Sequence, residues 1–196
     1  CIALSKNDFI PINFEGYLNS RKEGFKYAII RHDVDKRPKN ALKIAKIESD
    51  LGIKSTFYFR VTKEVFKKRI IAKISELGHE IGYHYEVLAV SKGNFKEAIN
   101  LFKVNLAKFR EVCNINTICM HGSPLSNWRD ADLWDEYNLN DFNLLGEPYV
   151  TLNFDEIFYY TDTWRRWDGN IYNVRDKVKS ELVHEKVKST TQLINL

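Results

Sequence analysis

From Tyr27 onward, short apolar runs alternate with amphipathic stretches whose apolar residues recur at helical spacing, a pattern that predicts repeated strand–helix units. Tyr27-Ala28-Ile29-Ile30 reads as a buried strand. Pro38 suits the first turn of a helix carrying Ala41, Leu42, Ile44, Ala45, Ile47 and Leu51, with Gly52 closing it. The aromatic and β-favouring run 55–59 reads as a second strand, 63–77 as a second helix closed by Gly78, 79–84 as a third strand, 95–112 as a third helix and 116–121 as a fourth strand. Beyond His121 the pattern weakens, with a short helix expected over 130–137 and further strands over 144–150 and 156–161. Strand–helix–strand order requires parallel strands joined by right-handed crossovers, so the predicted fold class is α/β. Such folds gather their chemistry at the carboxyl ends of the strands.

Composition narrows the picture. With 196 residues, 44% of them hydrophobic, and no Gly/Ser linker, low-complexity tract or repeat, the chain is expected to form a single domain spanning 1–196. The net charge of +4 is spread along helical stretches without a basic stripe interleaved with aromatics, so nucleic acid is not an expected partner. No apolar run approaches the roughly 20 residues of a membrane-spanning helix, and no leader pattern opens the chain. Cys1, Cys113 and Cys119 lack CxxC spacing, which predicts free thiols in a reducing compartment and hence a cytoplasmic location. The chain opens without Met and closes on a helix-like segment capped by Ser189; a further strand is expected beyond Leu196.

The candidate chemistry lies at the predicted strand ends. Asp33 and Asp35 are two residues apart and share a face if the extended conformation continues, so their carboxylates converge. Like charges that close favour a cation beside them, which makes the pair a candidate metal ligand and general base; the alternative is a pair of loop acids complementing the start of the next helix. His84 and His121 end two later strands. Imidazoles with carboxylate neighbours form a usual ligand set for zinc with one position open to water.

Three segments together, Ile30-Arg31-His32-Asp33-Val34-Asp35, Ser55-Thr56-Phe57-Tyr58-Phe59 and Gly78-His79-Glu80-Ile81-Gly82-Tyr83-His84, resemble successive blocks of the polysaccharide deacetylase family, which includes chitooligosaccharide deacetylases and family 4 carbohydrate esterases. The resemblance is best over 27–121 and looser through Thr161-Asp162-Thr163-Trp164. It implies a distorted (β/α) barrel, a divalent metal, usually zinc, and hydrolysis of an N-acyl group on a sugar. Asp33 is implied as the base, Asp35 as the metal aspartate and His84 as the first metal histidine. The family's second block reads His-Ser/Thr-x-x-His, whereas His84-Tyr85-Glu86-Val87-Leu88 places Leu88 where the second histidine belongs. The missing ligand is expected from Glu86 or, preferably, His121. The family's late general-acid histidine is not assigned, because His184 sits in a charged setting.

Other residues invite plainer readings. His79 lies at the opposite end of its strand and is expected to pack or hydrogen-bond to backbone. Trp164, Arg165 and Trp167, with Arg166 and Asp168, suit a sugar-binding rim or equally a packed surface turn. Two rivals to the hydrolase remain: a metal-free carbohydrate-binding protein on the same fold, which Leu88 favours, and a glycosyltransferase using Asp-x-Asp, which the absence of a Gly-rich phosphate loop disfavours.

Overall fold

The computed structural model describes Leu4, residues 6–123 and 125–161, and the isolated positions 178, 187, 189, 192 and 193. Its elements are β1 (Phe9–Ile12), α1 (Phe14–Ser20), β2 (Lys26–Ile29), β3 (Arg31–Val34), α2 (Pro38–Asp50), β4 (Thr56–Phe59), α3 (Lys68–Glu76), β5 (Glu80–Tyr85), α4 (Val87–Val90), α5 (Phe95–Arg110), β6 (Ile118–Met120) and α6 (Pro148–Thr151). Two 3₁₀ helices, Asp130–Asp135 and Leu139–Phe142, precede α6. Strands β3-β4-β5-β6 pair in parallel in that order, and β1 pairs in parallel with β2. Ile30 joins the two sets: its N–H donates to the Ile12 carbonyl and its own carbonyl accepts from Thr56 N–H. The result is a mixed α/β structure whose curled parallel sheet forms a half-barrel.

Alternation along the strands sorts the side chains onto two faces. Val34, Phe57, Phe59, Ile81, Tyr83, Tyr85, Ile118 and Met120 face the helices, where they join Ala41 and Ala45 of α2, Ile71 and Ile74 of α3, and Phe102 and Phe109 of α5 in the main core. The intervening positions Arg31, Asp33, Thr56, Tyr58, Glu80, Gly82, His84, Thr117 and Cys119 occupy the other face, where Phe14 of α1 packs with Tyr58 and Cys119. Gly82 is required there because a Cβ would overlap the Tyr58 ring and crowd the Thr117 carbonyl. Burying these polar groups demands partners, and most of them find one.

Several boundaries differ from the sequence expectation. The first strand begins at Lys26 and, after Ile30, continues through Asp33 to Val34, so Asp33 is inside the ladder opposite Tyr58, while Asp35 lies just past its end. Residues 63–67 form turns because the N–H groups of Val65 and Phe66 return to the Thr62 carbonyl, delaying α3 to Lys68. The strand expected over 144–150 reduces to one bridge between Thr117 and Gly146. Pro148 has no N–H for a ladder and Glu147 caps Val150 N–H, so the chain turns into α6. No strand forms over 156–161; the Asn153 side chain accepts from Asp155 N–H, and Glu156 N–H returns to the Asn153 carbonyl, which commits the segment to a turn. β1, α1 and α4 were not anticipated. Their apolar patterns span only four to seven residues, too short to show a period. Among the described residues no strand follows β6, and none of their helices is long and apolar enough to cross a membrane.

Candidate metal centre

The four strands deliver polar side chains to the carboxyl edge of the sheet. Asp35 follows β3, Arg60 follows β4, His84 and Glu86 mark the end of β5, and His121 follows β6, held in register by its N–H donating to the Tyr85 carbonyl at 2.7 Å. Three nitrogen and oxygen atoms meet there. His84 Nε2 lies 3.3 Å from His121 Nδ1, His121 Nδ1 lies 3.3 Å from Asp35 Oδ1, and His84 Nε2 lies 3.6 Å from that same oxygen. The two imidazole rings stand at 79° to each other.

The protons around these atoms can be followed individually. His84 Nδ1 is 2.9 Å from the Cys119 carbonyl, which only accepts, so a neutral His84 carries its proton on Nδ1 and presents a bare lone pair at Nε2. His121 is held below the usual imidazole range by burial first and by the facing His84 second, against the pull of Asp35, which favours its neutral form. Asp35 Oδ1 is buried and has no hydrogen-bond partner. With both imidazoles neutral, three acceptor atoms converge with at most one proton among them. Tetrahedral zinc, with bonds of about 2.0–2.2 Å, sets its ligand atoms about 3.3–3.6 Å apart, which is the spacing found here.

Neighbouring groups are committed elsewhere. Arg60 spends NH2 on both Glu86 oxygens, at 2.5 and 2.6 Å, and its NH1 stays 3.9 Å from Asp35 Oδ1, too far to hydrogen-bond it. Glu86, the alternative third ligand, is thus clamped by Arg60 with its nearer oxygen 4.0 Å from His121 Nε2, on the ring edge away from Asp35. A second grouping, Asp33 with His84 and Cys119, also lies within ligand reach. It fits less well, because Arg31 holds Asp33 and the Cys119 thiol donates to the Met120 carbonyl.

Asp33 keeps a side chain 29% exposed, with Oδ2 accepting from Arg31 NH2 at 3.0 Å. Burial alone would raise its pKa, but the Arg31 guanidinium and then His84 hold the carboxyl below the usual carboxylate range. Arg31 is itself fixed by the Tyr149 hydroxyl at 2.8 Å and the Tyr159 hydroxyl at 3.4 Å, with its guanidinium 5.0 Å from the Tyr149 ring centre. Sequence reasoning missed Arg31, Arg60, Tyr149 and Tyr159. Two signals were present: Arg31 shares a strand face with Asp33, and Arg60 stands one residue past Phe59, in register with Asp35 one past Val34.

His79 behaves as a packing residue, with Nε2 2.8 Å from the Ala45 carbonyl and Nδ1 accepting from Ser55 N–H. Leu88 is buried, and its N–H donates to Asp130. Neither Cys113 nor Cys119 is in a disulfide. Cys1, Trp164, Arg165, Arg166, Trp167, Asp168 and His184 lie outside the described residues. Ser189 does cap, its hydroxyl accepting from Gln192 N–H at 3.2 Å. Compared with protein-family models, curated proteins and solved structures, the chain shows no significant match to any of them.

Proposed function

We propose that this chain is a metal-dependent hydrolase of the polysaccharide deacetylase type that removes an N-acyl group from a sugar, with zinc held by Asp35, His84 and His121. The observation that carries the reading is the convergence of three proton-poor acceptor atoms, 3.3 to 3.6 Å apart, around a buried oxygen with no partner. A bound zinc there supplies Lewis acidity toward an amide carbonyl and toward water. Asp33 is the base: Arg31 occupies Oδ2, which leaves Oδ1 to take the proton from the attacking water. Arg31 keeps that carboxylate ionised and aimed, and the two tyrosines keep Arg31 in place. The half-barrel is read as part of a distorted (β/α) barrel, with Trp164, Arg165 and Trp167 available to a sugar-binding rim.

One observation favours a second reading. Leu88, buried at the position of a family histidine, marks a departure from the usual ligand set and suits a carbohydrate-binding protein that has lost its metal. Elemental analysis of the purified protein after dialysis, beside an assay on N-acetylated oligosaccharides, separates the two. One zinc per chain with acetate release supports the hydrolase. A metal-free protein that gains no activity on adding zinc refutes it.

A further inference from the structure

A groove of about 690 Å³ lies between the start of α2 and the segment leading into α3. The start of α2 follows the carboxyl end of β3, and the segment leading into α3 follows that of β4, so both walls come from connections that leave the sheet edge carrying Asp35 and Arg60. Five of its ten lining residues are cationic, namely Arg37, Lys39, Lys67, Lys68 and Arg69, against the single acid Glu64. Across the chain Lys and Arg make up only 30 of 196 residues and are nearly balanced by 26 acids, so the concentration here is local. Lys68 pairs with Glu111 at 2.7 Å and Lys67 donates to the Lys63 carbonyl. Arg37, Lys39 and Arg69 make no ion pair among the described residues.

The helix ends deepen the imbalance. The first turns of helices ordinarily carry acids or a capping side chain. Neither α2 nor α3 has an acid in its first turn or a side-chain cap, and each has cations there instead. The groove's residues thus carry five cations against one acid, set around a mostly apolar surface to which half-buried Phe66 and Ile70 belong. Its volume falls within the few hundred to about 1,000 Å³ usual for ligand sites.

We propose that this groove binds a phosphate or diphosphate group carried by the sugar substrate, so that the acyl group acted on belongs to a phosphate-linked glycan. The proposal rests on the hydrolase reading for its substrate, while the anion site itself does not need the metal. Phosphate is favoured over a neutral sugar because clustered Lys and Arg side chains suit a multiply charged oxyanion.

The test is calorimetric titration of inorganic pyrophosphate into the full chain in EDTA, where no metal can carry the anion. Binding is expected at low salt, weakened at least about 10-fold in Arg37→Glu/Arg69→Glu and in Arg37→Ala/Arg69→Ala, and unchanged in Asp35→Asn and in Lys103→Glu on α5. Equal thermal midpoints for the two double variants and the wild type exclude misfolding as the cause. Competition with a nucleoside diphosphate sugar and with a lipid-type diphosphate sugar then identifies the source of the phosphate. The proposal is overturned if pyrophosphate does not bind, if both double variants bind it as tightly as the wild type, or if neither sugar competes. Zinc binding without pyrophosphate binding removes this site and leaves the hydrolase; pyrophosphate binding without zinc does the reverse.

Discussion

The two edges of the sheet are built from the same residue types and treat them in opposite ways. At the amino edge, Glu80 accepts from the Thr56 hydroxyl at 2.6 Å, the Glu15 N–H at 2.9 Å and the Thr117 hydroxyl, while Glu48 accepts from Ser55 at 2.6 Å and meets His32 Nε2 at 2.9 Å. No buried side-chain oxygen or nitrogen of those two clusters is left without a partner. At the carboxyl edge Asp35 Oδ1 and Arg60 Nε are buried with none, as is Oδ2 of Asp130, whose other oxygen caps the helix that follows β5. Unmet hydrogen-bonding capacity in a buried site is costly to folding, and among the described residues it gathers at the edge where the proposed metal ligands meet. A histidine next to a carboxylate is therefore uninformative alone; the count of satisfied atoms separates His79 from His84.

The largest expected effect breaks the comparison at the carboxyl edge. Asp35→Asn or His84→Ala should reduce zinc affinity by about 10³-fold or more, measured by competition with a chelator, while the apo-protein's thermal midpoint stays level or rises for Asp35→Asn because a buried unpaired oxygen is relieved. Unchanged zinc stoichiometry in both variants would sink the ligand assignment.

The converse change at the amino edge should act on stability alone. Glu80→Ala leaves two hydroxyls and one N–H without their acceptor, at a cost of roughly 3 kcal/mol. Denaturant unfolding should show that loss with zinc binding intact; a silent variant would mean the satisfied edge contributes nothing special.

On the proposed reading, in which Asp33 is the base held by Arg31 and not a ligand, Asp33→Asn should keep the metal and lower turnover by about 10²-fold. Loss of metal in Asp33→Asn with retention in Asp35→Asn would reverse the two roles and would favour the grouping with Cys119.

The smallest effect concerns pH. Burial pushes both Asp130 and Glu147 up to about 7. Unfolded carboxyls titrate near 4, so between about pH 4 and 7 the folded state holds protons that the unfolded state has released, and stability falls as pH rises through that window. The thermal midpoint should be lower at pH 8 than at pH 5.5 by a few degrees, at roughly 2–4 °C per kcal/mol for a chain of this size. Asp130→Asn, which mimics the protonated acid while still capping Leu88 and Ala89, should flatten the slope. A slope of opposite sign, unaltered in that variant, would show that neither acid governs it.

How much of this was legible beforehand varies along the chain. The strands and helices of the 27–121 region are readable because burial on both faces leaves long apolar signals and because Pro38, Gly52 and Gly78 punctuate them; both glycines adopt positive φ, as helix stops require. Asp35, His84 and His121 were identifiable for a related reason: polar residues at the ends of apolar runs have few places to go in a parallel sheet. The elements that failed are the short ones. Gly146-Glu147-Pro148 reads as a strand by composition, yet one missing N–H and one capping carboxylate decide for a helix, and such local competition has no periodicity to reveal it.

The sequence by itself determined the parallel α/β order, the candidate acids and histidines, and their placement at strand ends, because these follow from periodicities of 2 and 3.6 that each segment carries alone. Only the tertiary structure decided that Arg31 holds Asp33, that Arg60 clamps Glu86, and that His84 and His121 face each other across 3.3 Å. Those outcomes depend on strand register and on which neighbour claims each proton, quantities fixed between segments and not within them.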